Sequence, residues 1–329
     1  MRAAVVSEIG SPPVVEDRRD PAREPGRALV RVAAASLNPI EIRVAAGRFA
    51  REAQAPYVPG LEGSGMVIEA DALETGTRVR FESSALPGFG EDGVLAELAS
   101  VPEDALVELP VEVEDPVAAA IGVVGITALA ALERAGVADG ERVLVLGASG
   151  AVGQMAVQLA KLMGAGRVVA AGRDRERLEH SRELGADGLV ELSDQNDLEA
   201  AFREAAGGAL DAVIDPLWGP PAMAALSALD DGGRLVNVGE AAGTDVRLPL
   251  AQVRNRQGAI LTLSSGWMPL EAKREVYARV LEHAAAGHIQ ADHEVVPLDS
   301  VAEAWERQAG SPGRKLVVRP TEDAVEAGP

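Results

Sequence analysis

Two kinds of hydrophobic spacing follow one another along the chain. Up to Pro116, short apolar-rich runs at residues 2–7, 28–34, 65–70, 78–82 and 93–100 are bounded by Gly, Pro or acidic residues. That pattern predicts strands, with residues 84–92 as a loop. Residues 117–135 form a continuous Ala-rich stretch of helical length. Beyond it, Val-rich runs at 142–146, 167–171, 189–191, 212–215, 234–238 and 259–264 alternate with helical patterns at 152–163, 175–184, 197–206 and 221–229. Short apolar strands alternating with helices predict a doubly wound parallel sheet covered on both faces, hence an α/β class. The end reads as a helix at 271–286, a strand at 294–297, a helix at 300–307 and a strand at 315–318. This tail has no obvious place in the parallel sheet and is expected to return to the first domain. The expected division is a β-domain from residues 1–117 and 268–329 and a parallel-sheet domain from 118–267. Residues 321–329 are polar and are expected to fray.

Composition narrows the function. A chain of 329 residues exceeds what one core usually organises. Its net charge is −20 and its pI about 4.7. That charge repels phosphate backbones and anionic lipid, so neither nucleic acid nor membrane is an expected partner. Lysine occurs only at Lys161, Lys273 and Lys315, and cysteine not at all. Disulfides, thiol nucleophiles and thiolate-bound zinc are thereby excluded. No apolar run is long enough to span a bilayer, and the start lacks the apolar core of a signal peptide, so a cytoplasmic location is expected. The four histidines show no ligand spacing.

The candidate chemistry begins after the first strand of the alternating region, at Gly147-Ala-Ser-Gly-Ala-Val-Gly153. A pyrophosphate needs backbone N–H groups and a helix N-terminus aimed at it, and small residues that allow close approach. The register G-x-G-x-x-G falls on Ala148, Gly150 and Gly153, with alanine in place of the first glycine. Ser149, Gly150, Ala151, Val152 and Gly153 are the expected phosphate contacts. At the end of the next strand, Gly172 stands where an acidic residue would accept the ribose hydroxyls, and Arg173 follows it. A guanidinium suits a 2′-phosphate, so NADPH is the expected cofactor, with Arg177 nearby. The alternative is that these arginines form a solvated face with Asp174 and Glu176.

Together, Ser36-Leu-Asn-Pro-Ile-Glu41, Pro59-Gly-Leu-Glu-Gly-Ser-Gly65, Gly125-Ile-Thr-Ala128, the 147–153 turn, Gly232-Gly-Arg-Leu-Val236 and Gly313-Arg-Lys315 make the chain resemble a known family. This is the zinc-free medium-chain dehydrogenase/reductase family, in its quinone oxidoreductase (zeta-crystallin-like) branch. The resemblance implies a GroES-like β-domain, an inserted Rossmann domain and a nicotinamide held between them. It implies a homodimer formed at the edge strand 259–264. Zinc-dependent relatives carry a cysteine near Asn38 and a histidine at the place of Leu61, so no zinc site is expected. Without a Lewis acid the acceptor should be electron-poor, a quinone or an activated enone taking hydride directly.

Carried over by position, Asn38 would sit beside the nicotinamide or the substrate carbonyl, unless Asn-Pro merely makes a turn. Thr127, Asn237, Val238, Gly239, Ser264 and Ser265 would meet the cofactor. Lys315 or Arg314 would reach the adenosine phosphate, or else lie on the surface. Close relatives have a tyrosine where this chain has Arg43, which cannot donate a proton at neutral pH but can steady an oxyanion. Phe49 occupies a second aromatic position and lacks a hydroxyl. Trp218, in Asp215-Pro-Leu-Trp218, either walls the cofactor cleft or packs beneath a loop. Two alternatives accompany the quinone reductase reading: a double-bond reductase on a biosynthetic intermediate, and a non-catalytic NADPH-binding protein.

Overall fold

The computed structural model describes residues 1–49, 51–83, 85–193, 197–248 and 250–321. The polar tail from residue 322 and Ser84 of the expected loop lie outside the described residues. The chain divides into two units. One comprises Met1–Val123, Pro269–Ala286 and Ala291–Pro329, the other Val124–Met268 and Gly287–Gln290.

In chain order the first unit opens with strands β1 (Arg2–Val5), β2 (Val14–Asp17) and β3 (Arg27–Ser36), then helix α1 (Pro39–Ala45). Strands β4 (Glu62–Glu69), β5 (Arg78–Glu82), β6 (Leu98–Pro102) and β7 (Val107–Glu108) follow, then α2 (Asp115–Ala120). The chain continues through α3 (Gly122–Ala135), β8 (Arg142–Leu146), α4 (Ala151–Leu162), β9 (Arg167–Gly172), α5 (Arg175–Glu183) and β10 (Gly188–Glu191). Next come α6 (Leu198–Ala206), β11 (Leu210–Asp215), α7 (Gly219–Ala228), β12 (Leu229–Asn237), α8 (Leu250–Asn255) and β13 (Ala259–Thr262). The return to the first unit supplies α9 (Leu270–Ala285), β14 (His293–Pro297), α10 (Val301–Ala309) and β15 (Lys315–Arg319).

Among the described residues, the first unit's main sheet has the order β14-β15-β3-β4-β5-β7, with β6 also paired to β3. The C-terminal strand β15 therefore lies antiparallel to β3, Val317 opposite Ser36. Alternation along β3 turns Ala28, Val30 and Val32 inward, and past the register shift at Val32/Ala34 it is Ala35 that joins Val79, Phe81, Val101, Leu316 and Val318 in the core, while Ala34 packs with Ala119, Ala120 and Val317. With aromatics at 3% of the chain, Trp305 from α10 supplies a tryptophan to that core.

The second unit carries a parallel sheet of order β10-β9-β8-β11-β12-β13 among the described residues. Its central strands β8 and β9 are buried on both faces, which explains why their Val-Leu-Val-Leu and Val-Val-Ala-Ala do not alternate. The order reverses between β8 and β11, the point where such sheets open a crevice at the strands' carboxyl ends. Gln158 of α4 bonds the main chain of Gln290 in both directions, at 3.0 and 2.7 Å, and so holds the 287–290 segment to this unit.

One expected element is divided. Residues 117–135 form not one helix but α2 and α3, separated at Ile121. The cause is the Glu62 carboxylate, which accepts the Val123 N–H at 2.6 Å. A Cβ on Gly122 would stand 1.8 Å from its Oε2. The apolar pattern could not show that a buried carboxylate enters the helix here, and the expected boundary at 117/118 cuts across α2.

Candidate functional site

The turn after β8 is shaped by glycines with separate tasks. Gly147 adopts φ +61°, and a Cβ there would lie 3.1 Å from Leu217 and Pro216. Gly147, one residue earlier than the motif's register, thus makes the tight turn, and alanine at 148 costs nothing. Ala148 is buried and donates its N–H to Ala171 O at 2.9 Å, tying the turn to β9. Gly153 is needed for helix–strand contact, since its Cβ would stand 2.3 Å from Gly147 O. Gly150 is the N-cap of α4, with no side-chain cap on that helix. The first-turn N–H groups of α4, at Ala151, Val152 and Gly153, have no intrahelical acceptor, and the helix dipole adds partial positive charge there. The cradle suits a pyrophosphate. A Cβ on Gly150 would approach only Gly147 O, at 3.4 Å, so the small residue leaves open the side from which a phosphate comes.

Gly172 faces the same turn, with the Ser149 hydroxyl 3.0 Å from where its Cβ would be. Arg173 follows it, exposed and with no hydrogen bond or ion pair among the described residues. Arg177 is placed differently. Its guanidinium pairs with Asp174 at 3.3 Å, and its N–H is capped by the same carboxylate. Arg177, expected at the cofactor, thus carries a half-exposed local ion pair at the start of α5.

At the carboxyl ends of β11 and β12, Asp215 is fully buried. Its Oδ1 accepts the N–H groups of Leu217 and Trp218 at 2.9 and 2.8 Å. Burial pushes its carboxyl above the usual range against the pull of Asn237 and these two N–H groups. Asn237 donates to Asp215 Oδ2 at 2.9 Å and to Gly239 O at 2.7 Å. Its amide hydrogens are therefore committed to shaping the loop rather than offered to a cofactor. Val238 continues the arrangement, its N–H on Asp215 O at 2.8 Å. Gly239 is held close, a Cβ there meeting Pro216 O at 2.7 Å. Thr127 and Ser265, distant in sequence, meet hydroxyl to hydroxyl at 2.8 Å, while Ser264 precedes the short turn Ser265–Trp267.

In the first unit, Asn38 and Lys315 belong to one buried ionic cluster. The Lys315 Nζ donates to Asn38 Oδ1 at 2.5 Å and lies 3.3 Å from Glu62 Oε1. Asn38 Nδ2 donates to Glu62 Oε1 at 3.2 Å and to Ser36 O at 3.3 Å. Glu62 also takes the Ser36 hydroxyl at 2.7 Å and Arg80 at 3.1 Å. Arg80 reaches Glu82 at 2.6 Å, and Lys273 lies 3.2 Å beyond it on Glu82. The Arg80 guanidinium also stacks on Tyr277, 4.6 Å from the ring centre. Burial alone would push the Glu62 carboxyl up, but Lys315, Arg80, Ser36 and the Val123 N–H outweigh it and hold it low. Two expectations change accordingly. Lys315 is neither a surface lysine nor an open phosphate ligand, because its ammonium compensates a buried carboxylate. Asn38 is buried with both amide hydrogens engaged, so it is a bonded core residue rather than an open donor.

Glu41 was missed in the sequence, although Asn38-x-x-Glu41 is half of a capping-box signal. Its carboxylate accepts the N–H groups of Asn38 and Leu61 at 2.6 and 2.7 Å. Burial pushes it up to about 7, against the lowering effect of the Asn38 hydrogen bond and Lys315. Arg43 is exposed in the last turn of α1, where its charge complements the helix dipole. No described helix is long and apolar enough to cross a membrane.

The comparisons with known proteins agree with this geometry. Residues 24–111 match the family model described as alcohol dehydrogenase GroES-like domain, and residues 151–285 the one described as zinc-binding dehydrogenase. A quinone oxidoreductase-like protein 2 of Bos taurus is 34% identical over 253 residues, covering 75% of this chain and 70% of its own. The chain belongs to the medium-chain dehydrogenase/reductase family. The quinone oxidoreductase of Homo sapiens is 32% identical over 247 residues, covering 73% of each chain. Among solved structures, an NAD-dependent alcohol dehydrogenase superposes with a TM-score of 0.88 at 28% identity, covering 97% of this chain and 99% of that one. The two units are thus the GroES-like and Rossmann domains of an oxidoreductase, and a family member of this fold binds a nicotinamide cofactor on its parallel sheet.

Proposed function

We propose that this chain is a zinc-independent, NADPH-dependent oxidoreductase that reduces a quinone or an activated enone by direct hydride transfer. The observation that carries the cofactor choice is Arg173. It is exposed and unpaired among the described residues, beside Gly172 where an acid would favour a free ribose. A guanidinium there accepts a 2′-phosphate through charge-assisted bonds. The α4 N-terminus and the Ser149–Gly172 contact hold the rest of the phosphates. When bound, the cofactor supplies the hydride. The chain orients it and keeps the site free of metal chemistry, since Leu61 and the absence of cysteine leave no ligand set.

Calorimetry tests the cofactor choice. Arg173→Ala should weaken NADPH by about 10- to 100-fold, the size of one charge-assisted bond, and leave NADH nearly unchanged. Equal affinity of the parent protein for both dinucleotides would refute the assignment. A panel of quinones, enones and enoyl thioesters tests the acceptor. Exposed Arg43 favours a second reading, reduction of a double bond in an acidic substrate, and thioester or carboxylated enone turnover exceeding quinone turnover would select it. Tight NADPH binding with no turnover on any member of the panel would make the chain a binding protein. We also propose a cytoplasmic homodimer in which the outer strand β13 pairs with that of a second copy.

A further inference from the structure

One buried carboxylate joins two stretches of backbone in the first unit. Glu41, 3% exposed, takes the Asn38 N–H on Oε2 at 2.6 Å and the Leu61 N–H on Oε1 at 2.7 Å. The first bond fixes the start of α1, the second the entry to β4. Each oxygen holds one donor, so the arrangement suits an ionised carboxylate, in which both oxygens accept. A neutral carboxyl keeps one good acceptor oxygen, because the other carries the hydrogen. Neutral Glu41 therefore weakens one of the two bonds.

The β4 side of this junction is rigid. Pro59 O and Gly60 O accept the Leu95 and Val94 N–H groups, each at 2.9 Å, and a Cβ on Gly60 would stand 2.5 Å from Leu95 N. Movement on losing a bond therefore falls on α1, which is 7 residues long. The charged and titratable groups facing Glu41 are Lys315 from β15, Glu62 from β4 and Tyr57 from the stretch before β4. Against its burial, Lys315 and Arg80 hold the Glu62 carboxyl low, and burial pushes the Tyr57 hydroxyl up to about 12. Both therefore keep one charge state while Glu41, raised by burial to about 7, changes its own.

We propose that Glu41 is a pH-operated latch at the root of α1, closed on both N–H groups when ionised and holding one of them when neutral. Its bearing on catalysis, through Asn38 and Arg43 at the two ends of α1, rests on the oxidoreductase reading above. The latch itself does not.

Amide spectra of protein carrying isotope-labelled leucine and asparagine, recorded on either side of pH 7, test it. In the parent, the Leu61 or the Asn38 amide should shift with a midpoint near pH 7. Below that midpoint it should exchange with solvent about 10- to 100-fold faster, after correction for the intrinsic rate, as befits a lost bond to a charged group. In Glu41→Gln, whose amide nitrogen cannot accept, the same signal should stay at the parent's low-pH position throughout. Two amides that do not titrate, or that titrate equally in Glu41→Gln, would overturn the proposal. Should that variant not fold, the labelled Glu41 carboxyl carbon of the parent decides, since a midpoint different from that of the amide refutes the latch. With an acceptor that turns over, the parent's KM should rise as pH falls through 7 and that of Glu41→Gln should stay level. A level KM in the parent would sever the latch from the site. No turnover on any acceptor would refute the oxidoreductase reading and leave the amide result standing.

Discussion

At the scale of single residues, the buried cluster around Glu62 is the feature with the sharpest consequences. Lys315 meets a carboxylate that is fully excluded from water, so removing the ammonium leaves buried charge uncompensated. Lys315→Met should destabilise the protein by about 3–5 kcal/mol in urea unfolding. A loss under about 1 kcal/mol would mean that Arg80 and Ser36 suffice for Glu62. Glu41 makes a prediction about pH. Its folded value, about 7, exceeds the ordinary 4.5, so the unfolded chain ionises first as pH rises. Stability from this group is therefore undiminished below about pH 4.5, declines between 4.5 and 7, and is level above that. The full decline is about 3 kcal/mol. Unfolding free energies of the parent and Glu41→Gln across that window check it, and parallel curves would refute it. Asn-x-x-Glu was readable as a helix start, but nothing in the spacing revealed that Leu61 N–H would bury the same carboxylate.

Among elements, the β8–α4 junction separates structure from binding. Gly153→Ala puts a methyl against Gly147 O and must lift the helix from its strand, which should cost about 1–3 kcal/mol and lower the melting temperature. Gly150→Ala meets nothing closer than 3.4 Å and has φ −96°, which alanine adopts freely. It should lose less than about 1 kcal/mol of stability, yet bind NADPH about 10-fold more weakly as the methyl enters the phosphate's approach. Equal affinity in Gly150→Ala would move the phosphates off this turn. The central parallel strands β8 and β9 were legible because burial on both faces makes them uniformly apolar. Short elements such as β2, α1 and α8 were not, because so few residues carry no period.

For the whole molecule, the open question is how the outer strand β13 is covered. It pairs on one side with β12, and Trp267 just beyond it is 86% exposed. An exposed edge beside a large apolar side chain invites pairing with a second chain. Sedimentation should give a species of twice 34.0 kDa. Trp267→Glu should shift it to the monomer while leaving the melting temperature of the monomer intact. A parent protein that sediments as a monomer would refute the dimer. The net charge of −20 opposes association generally, so a dimer here needs local contacts strong enough to overcome that repulsion.

The amino-acid sequence by itself determined the two layers of this protein. Periodicity marked the parallel sheet, glycine spacing marked the turn between β8 and α4, and the missing cysteines and Leu61 carried the expectation of zinc independence. These are properties of residue type and of neighbours within one turn or strand. Tertiary structure decided where polar side chains point. Lys315 and Asn38 are separated by 277 positions and meet only because β15 is laid beside β3. Asn237 turns inward because β11 runs parallel to β12 and presents Asp215 to it. A polar group near a site binds a ligand or binds the protein according to which partner is nearer. That distance is set by strands brought together from opposite ends of the chain.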